Sequence, residues 1–281
     1  AVTKQLTKAE ALHGDPSLAS RMKIAIQKEW QNMEDFLVFG PPQERSHVLR
    51  TVKGASIVNG TCPLVLKHYE LGPEKMRCKA RLCACGDRVF NPDSLAPIVE
   101  TGYGTLYSQQ PASLTSVRLL CLIALATSRT PQVCDVDGAY LQSSLVEKDG
   151  VTPLKGLPPY FMQLHQDFWP SSWFNDDGTP KYKRPIIQIR RALYGLSVSG
   201  FIWQRHCHNV LTSLNWESVP SENAIYRRKN KSGGYDYILT YIDDLLVVGD
   251  DYKIIFDELR KHLRMKVEEE LELFVGIRFN I

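Results

Sequence analysis

The chain has 281 residues, of which 43% are hydrophobic and 23% charged, and its formal net charge is +3. This length allows a sizeable core and two lobes or domains, and the composition excludes a disordered or low-complexity chain. No apolar run is long enough to span a membrane, and the first residues lack the basic-then-apolar layout of a secretory signal. Seven cysteines without regular pairing spacing predict reduced thiols in an intracellular protein.

The first predicted element is an amphipathic helix within residues 17–39, with Asp15 or Ser17 as its N-cap. Its apolar side chains recur at helical spacing: Met22, Ile26, Trp30 and Met33. Residues from about 50 to 85 are predicted to form strands separated by turns. The sequence "VNGT" at residues 58–61 is typical of a hairpin turn between two of them.

The middle of the chain predicts a helix, a strand and an irregular segment. "SLTSVRLLCLIALATS" predicts a buried helix that begins near Ser113 or Thr115. "PQVCDVDGAYLQSSL" predicts a short strand that runs into a helix. Residues from about 146 to 185 are rich in Pro, Gly, Asp and Trp, which indicates a long irregular insertion.

The last third predicts two helices and several strands. Residues 199–216 and 250–267 have the apolar spacing of helices, and the second pattern is amphipathic. Residues 224–229 and 235–250 are predicted to form antiparallel strands, and residues 270–281 end the chain as a strand. Strands and helices interleave without a regular βα alternation, so the predicted class is α+β.

Two adjacent acids, Asp243 and Asp244, stand in the most apolar segment of the chain, "YILTYIDDLLVVGDD". A buried unpaired carboxylate is costly, so such groups are normally solvated, paired or bound to metal. A plain hairpin with an acidic tip is one interpretation, because Asp tolerates turn geometry. Asp135 follows an apolar strand and, taken alone, is more typical of an N-cap or turn acid; Asp137 is a rival candidate on the same face. Together these acids suit a site for two Mg²⁺ ions about 3.5–4 Å apart.

Basic residues are clustered in two places. Clustered cations can follow a phosphate backbone or hold a triphosphate, but either cluster alone is more typical of a solvated face. The first cluster comprises Lys75, Arg77, Lys79 and Arg81. The second comprises Lys181, Lys183, Arg184, Arg190 and Arg191.

Cysteines near residue 80 raise the alternative of a zinc site. Cys78, Cys83 and Cys85 lie close together in the sequence, with Cys62 and His68 not far away. Their spacing does not match the usual paired zinc knuckles, so we do not favour zinc. The sequence also contains no P-loop, serine-hydrolase or zincin motif.

The ordered motifs resemble those of copia-type LTR retrotransposon reverse transcriptases. "YIDD" resembles the polymerase box Y-[VI]-D-D, "KARLCACGD" the fingers motif K-A-R-L-V-A-[KR]-G, and "VCDVDGAYLQSSL" the motif D-V-[KT]-x-A-F-L-x-G-x-L. "IRRALYGLSVSGFIW" resembles K-A-L-Y-G-L-K-Q-[SA]-P-R-A-W, and "LELFVGIRF" resembles the primer-grip segment. The N-terminal helix also looks like that of the family. The resemblance extends from about Ala9 to Phe279, with the motifs in family order.

The resemblance implies a right-hand polymerase fold with fingers and palm subdomains, in which an antiparallel palm sheet is backed by helices. Residues 1–134 would hold the N-terminal helix and fingers. Residues 135–281 would form the palm, with the insertion at about 146–185, and would end near the primer-grip segment. A thumb and an RNase H domain are expected to be absent from this stretch, which would be part of a longer pol polyprotein.

The resemblance also implies roles for individual residues. The catalytic acids would be Asp135, Asp243 and Asp244, the metal ligands these acids and Val136, and Asp137 a non-ligand. The nucleotide would be bound by Lys79, Arg81, Tyr140, Tyr194 and Gly195, with the Tyr140 ring under the sugar excluding a 2′-hydroxyl. The primer grip would be Phe274, Val275 and Gly276. The second basic cluster, Lys181 to Arg191, is the predicted nucleic-acid contact.

The function implied is that of an RNA-directed DNA polymerase, a nucleotidyltransferase that uses two Mg²⁺ ions, or Mn²⁺ in their place, to add deoxynucleotides to a primer on an RNA or DNA template. Its expected partners are template–primer, deoxynucleoside triphosphates, and the RNase H and integrase of a polyprotein or a larger complex, without a membrane. The expected location is intracellular, in a cytoplasmic virus-like particle or the nucleus.

The family's K-Q-S-P is replaced in this sequence by Ser197, Val198, Ser199 and Gly200. This departure favours an alternative, a domesticated non-catalytic module that binds RNA or protein.

Overall fold

The computed structural model describes residues 2–72, 74–90, 112–220, 222–271, 273–274 and 277–278. Two compact units are present, and each combines two separate stretches of sequence. The first unit comprises Ala1–Gly102 with Ser144–Ser199, and the second comprises Tyr103–Ser143 with Gly200–Ile281. These units are discontinuous, whereas the predicted division between residues 134 and 135 is contiguous. The names fingers and palm for its two parts stay a prediction.

The described residues contain helices and strands in an irregular order. The helices are α1 (Lys8–His13), α2 (Pro16–Asp35), α3 (Arg45–Thr51), α4 (Leu114–Ala126), α5 (Ser199–Ser213) and α6 (Tyr252–Arg260). The strands are β1 (Thr3–Leu6), β2 (Phe39–Glu44), β3 (Ser56–Thr61), β4 (Leu64–Lys67), β5 (Arg77–Ala80), β6 (Cys83–Phe90), β7 (Gln132–Asp135), β8 (Tyr160–Gln163), β9 (Pro185–Ile189), β10 (Glu217–Val219), β11 (Glu222–Lys229), β12 (Tyr235–Tyr241), β13 (Asp244–Val248), β14 (Glu269–Glu270), β15 (Leu273–Phe274) and β16 (Ile277–Arg278). Single turns of 3₁₀ helix occur at Tyr69–Leu71, Ala139–Gln142, Gln166–Phe168 and Ser171–Trp173.

The first unit contains a five-stranded sheet in the order β2-β9-β8-β3-β6 and a three-stranded sheet in the order β1-β4-β5. Helix α2 begins as predicted, because the Asp15 carboxylate accepts a hydrogen bond from the Leu18 N–H at 2.7 Å. The apolar stripe predicted for α2 is buried at all four positions: Met22, Ile26, Trp30 and Met33. The position of this helix in the sequence and the face that it buries are therefore confirmed.

The hairpin turn predicted at residues 58–61 is wrong. These residues lie inside β3, and the strand pairing shifts register between Val58 and Gly60. A Cβ atom on Gly60 would lie 2.5 Å from the Leu164 side chain and 2.7 Å from the Met162 sulfur. Gly60 is thus required by a bulge and by close packing, which are the two usual reasons for glycine inside a strand.

The irregular insertion predicted at about 146–185 is only partly irregular. It contains β8, which pairs in parallel with β3 and antiparallel with β9. Phe161 and Met162 of β8 are fully buried. The insertion also contacts α2, because Trp30 Nε1 donates a hydrogen bond to the Phe168 carbonyl at 2.7 Å. The segment therefore supplies a core strand to the first unit.

The second unit is built on an antiparallel sheet in the order β10-β11-β12-β13-β7-β14. One face of β13, including Leu245 and Val247, packs in a cluster with side chains from α5 and α6. The other face, including Leu246 and Val248, packs with side chains from α4. Because β13 is buried on both faces, its sequence is a continuous apolar run rather than an alternating pattern. This arrangement explains why the segment around Asp243 is so apolar.

Several second-unit predictions are confirmed, and others need correction. The antiparallel strands β11, β12 and β13 and the helices α5 and α6 occur where they were predicted, although α6 already ends at Arg260. The helix predicted after β7 is a single 3₁₀ turn. The predicted final strand is the end of β14 followed by the hairpin β15–β16.

Helix α4 is less buried than its sequence predicted. Ser113 is its N-cap, since the Ser113 hydroxyl accepts a hydrogen bond from the Ser116 N–H at 3.0 Å. Val117 and Leu120 are buried, but Leu122 and Leu125 are 63% and 68% exposed. Among the residues that the structure describes, no helix combines the length and the apolar character needed to cross a membrane.

Candidate active site

The adjacent acids lie at the tip of the β12–β13 hairpin. Tyr241 and Asp244 are paired residues, so Ile242 and Asp243 form the two-residue turn. Ile242 has φ of +51°, a strained conformation for a β-branched residue. Trp203 Nε1 of α5 donates a hydrogen bond to the Ile242 carbonyl at 2.5 Å, which helps to hold this turn.

The third acid faces this hairpin from the neighbouring strand. Asp135 at the end of β7 is the register partner of Asp244 at the start of β13. The Val136 N–H donates to the Asp243 carbonyl at 2.6 Å, which ties the two chain segments together immediately beyond the sheet. The structure therefore brings the predicted catalytic acids together at one end of two adjacent strands.

Burial and neighbouring negative charge act together on Asp244. The pKa of Asp244 is raised to about 6 by burial first, and then by the charges of Asp243 and Asp135, while Lys266 acts in the opposite direction. Like charges opposite each other on paired strands are destabilising. The Lys266 ammonium lies 2.5 Å from the Asp135 carboxylate. The acids thus form an electrostatically coupled group with one lysine as counter-charge.

The donor atoms of this group fit a hard divalent cation, because Mg²⁺ prefers carboxylate oxygens and completes its shell with water and phosphate. In the described part of the chain, however, no three His, Cys, Asp or Glu side chains are already arranged to hold one ion. The Asp135 carboxylate is paired instead with the Lys266 ammonium.

The raised pKa of Asp244 predicts a pH-dependent loss of stability in buffer without divalent cations. Below about pH 4 the carboxyl is protonated in both the folded and the unfolded chain and contributes nothing. Between about pH 4 and pH 6 only the folded chain retains the proton, so folding becomes less favourable as the pH rises through this window. We expect Asp244→Asn to be more stable than wild type above pH 6 and equally stable below pH 4. Thermal unfolding across this range measures the difference, and a constant difference at all pH values would contradict the assignment.

Tyr140 lies beside the acids, in the 3₁₀ turn that follows β7. Its ring is half-buried against the cluster that contains Trp203. The pKa of Tyr140 is raised by burial first and then by the charge of Asp243, so the phenol is near that carboxylate. Both interpretations of Tyr140, as packing residue and as contact for a bound sugar, agree with this position.

The other predicted nucleotide-binding residues meet in the first unit. The Arg81 guanidinium lies over the Tyr194 ring, 4.5 Å from its centroid. The Ala84 N–H donates to the Tyr194 carbonyl at 2.8 Å, and the Gly86 N–H donates to the Gly195 carbonyl at 3.0 Å. The loop at 194–195 is thus fixed against β6, close to Arg81.

An acid that the sequence analysis did not single out stands at this place. The Glu29 carboxylate of α2 accepts a hydrogen bond from the Leu82 N–H at 3.0 Å. Burial raises the pKa of Glu29, while Leu82, Arg81 and Lys79 lower it. The pKa of Lys79 is lowered, by burial first and then by Arg81 and Lys67. Glu29 lies three residues after Ile26, on the apolar stripe of α2. An acid within such a stripe is the feature of the sequence that could have identified Glu29 as a functional candidate.

The second basic cluster is not continuous in space. Lys181, Lys183 and Arg184 are exposed before β9, whereas Arg190 and Arg191 are half-buried after it. All five residues of β9 are buried, and six residue steps at about 3.3 Å each separate Arg184 from Arg190 by about 20 Å. The five cations therefore form two groups, and their contact with nucleic acid stays a prediction.

The predicted primer grip is described only at its first residue. Phe274 is 2% exposed and belongs to the cluster under α4. Its ring contacts that of Tyr241, which precedes the acidic turn, at 6.4 Å between centroids. Val275 and Gly276 lie outside the described residues.

Comparison with known proteins agrees with the resemblance seen in the sequence motifs. The profile of the family described as reverse transcriptase (RNA-dependent DNA polymerase) matches residues 67–281. The chain is similar to the retrovirus-related Pol polyprotein from transposon RE1 of Arabidopsis thaliana, with 27% identity over 215 residues, covering 75% of this chain and 13% of that protein. It is also similar to that of transposon RE2 of Arabidopsis thaliana, with 26% identity over 204 residues, covering 72% and 12%. The chain thus spans about an eighth of the length of these relatives.

Proposed function

Because the chain belongs to the reverse transcriptase family and resembles copia-type transposon Pol polyproteins, we propose that it is an RNA-directed DNA polymerase that adds deoxynucleotides to a primer. The observation that carries this proposal is the position of Asp135 opposite Asp244, with Asp243 in the adjoining turn. Such a group of carboxylates is unfavourable unless cations compensate its negative charge. A site that binds divalent cations together with a triphosphate provides that compensation.

The acids and the backbone at Val136 are the groups that would hold two Mg²⁺ ions, or Mn²⁺ in their place. When bound, these ions would supply positive charge to activate the primer hydroxyl and to stabilise the leaving pyrophosphate. The chain itself positions the carboxylates: the bond from Val136 to Asp243 and the bond from Trp203 to Ile242 fix the turn. Fixed ligands lose little entropy on binding, which favours catalysis by positioning.

The group formed by Arg81, Lys79 and the 194–195 loop would bind the triphosphate. Arg81 is exposed on its outer side while its guanidinium stacks on Tyr194, so it can donate to phosphate from a fixed plane. Glu29 would position this group by holding the backbone at Leu82. In this proposal residues 1–134 contribute the N-terminal helix and fingers of a right-hand polymerase, and residues 135–281 contribute its palm. Its partners are template–primer and the remainder of an intracellular polyprotein.

Primer extension on an RNA template tests the proposal directly. We expect deoxynucleotide addition that requires Mg²⁺ or Mn²⁺ and stops when EDTA removes the cation. A second candidate, a non-catalytic module that binds RNA or protein, is favoured by the replacement of the family's K-Q-S-P with Ser197 to Gly200. Stable RNA binding without any extension, in the presence of either cation, would support the second candidate against the first.

Tyr140 gives a prediction about sugar selection. Tyr140→Val should raise the incorporation of ribonucleotides relative to deoxynucleotides, because shortening the side chain opens space for a 2′-hydroxyl without removing any carboxylate. The ratio of kcat/KM for the two nucleotides measures the effect, which we expect to be about tenfold or more. Tyr140→Phe is the matched control, since it keeps the ring and should keep the ratio. An unchanged ratio in Tyr140→Val would assign Tyr140 to core packing alone.

A further inference from the structure

Residues 264–268, most of which were predicted to belong to a helix, instead run alongside Asp135 beyond the end of α6. We call this segment the strap. The Asp137 N–H donates to the Arg264 carbonyl at 3.0 Å, and the Lys266 N–H donates to the Asp135 carbonyl at 3.0 Å. The strap leads into β14, which pairs with β7 on the side opposite β13. Asp135 therefore lies between an acid on one neighbouring strand and Lys266 on the other side.

Side chains hold the main chain of the strap in place. Gln142 donates from Nε2 to the Arg264 carbonyl at 2.9 Å, and its Oε1 accepts the Arg264 N–H at 2.9 Å. The Lys266 carbonyl accepts hydrogen bonds from Cys134 Sγ at 3.1 Å and from Arg260 Nη2 at 3.2 Å. The backbone of Lys266 is therefore fixed, and its side chain is the part that can move.

The Lys266 ammonium is well placed to act on all the acids. It lies 2.5 Å from the Asp135 carboxylate. The pKa of Lys266 is raised first by that hydrogen bond, and further by the charges of Asp135, Asp137 and Asp243. The Lys266 side chain is 60% exposed and that of Asp135 is 39% exposed. Because both groups reach water, the ion pair is weak and a competing cation can separate it.

We propose that Lys266 is a built-in counter-ion of the acidic group, which stabilises the chain without metal and must leave Asp135 before a divalent cation binds there. This inference rests on the proposed function, in which the acids hold Mg²⁺. It makes Lys266 a positioning residue that sets the affinity of the site for metal. The fixed strap keeps the Lys266 ammonium near Asp135 at a high effective concentration. The ammonium therefore competes with a divalent cation for the Asp135 carboxylate.

Titration with Mn²⁺ alone, without nucleic acid or nucleotide, tests the inference by calorimetry and by electron paramagnetic resonance. Lys266→Met should bind Mn²⁺ more tightly than wild type, by roughly two- to fivefold, the range that an exposed ion pair supplies. Its melting temperature without metal should be lower than that of wild type, since the carboxylates lose their counter-charge. The rise in melting temperature on adding Mn²⁺ should be larger.

Two control variants separate charge from structure. Lys266→Arg keeps a cation beside Asp135 and should retain the wild-type affinity. Lys261→Met removes the same charge from an exposed position at the end of α6 and should leave the Mn²⁺ affinity unchanged. A lower melting temperature in Lys266→Met with unchanged or weaker Mn²⁺ binding would overturn the inference while leaving the metal site intact. Absence of Mn²⁺ binding in all variants would overturn the proposed metal site and the inference with it.

Discussion

Asp244→Asn is expected to lower the rate of primer extension by at least about 10³-fold while leaving the fold intact, because a ligand that stabilises transition-state charge contributes several kcal/mol. Asn has nearly the shape of Asp, so the packing at the start of β13 should not change. Removing one of the mutually repelling carboxylates should even stabilise the metal-free chain above pH 6. Loss of activity together with a gain of stability distinguishes a functional carboxylate from a structural one.

Asp137→Asn is the matched control for this experiment. Asp137 lies two residues after Asp135, and its backbone N–H donates to the Arg264 carbonyl while its carbonyl accepts a hydrogen bond from the Gln142 side chain. We expect its replacement to change extension by less than about threefold, whereas Asp135→Asn should be as inactive as Asp244→Asn. Single-turnover extension, corrected for the folded fraction, makes the comparison. Wild-type rates for Asp135→Asn, or an inactive Asp137→Asn, would reassign the catalytic acid on β7.

The acids could be predicted from the sequence because their signal is local. Asp243 and Asp244 interrupt a continuous apolar run, and Asp135 ends another. The ordered motifs indicated that Asp135 belongs to the same site as Asp243 and Asp244, which the spacing alone could not show. The structure adds the register that makes Asp135 and Asp244 partners.

Lys266 could not be predicted in the same way, because its role depends on contacts that no local pattern encodes. The strap reaches Asp135 through pairing between residues more than a hundred positions apart, and the side chain that fixes it, Gln142, belongs to a third segment. The parallel pairing of β8 with β3 is missed for the same reason. "YFMQ" is too short a run to stand out within a segment rich in proline and glycine, so its tertiary pairing decides its structure.

The close packing around Gly195 is another feature that only the structure reveals. Gly195 has φ of +88°, and a Cβ atom placed there would overlap the Ala84 carbonyl oxygen of β6. The loop cannot simply move outwards, because its carbonyls accept the Ala84 and Gly86 N–H groups. We expect Gly195→Ala to lower the free energy of unfolding by about 3 kcal/mol or more, since backbone strain and steric overlap add together.

Gly178→Ala separates these two contributions. Gly178, in the same unit, has φ of +78°, and a Cβ atom there would meet nothing within 4 Å. Its replacement should therefore show only the conformational cost, about 1 kcal/mol. Urea unfolding of both variants gives the two values under identical conditions. Equal losses would mean that backbone conformation alone requires glycine at 195. A larger loss for Gly195→Ala, with weaker nucleotide binding in the fraction that stays folded, would mean that close packing of the 194–195 loop on β6 keeps Tyr194 under Arg81.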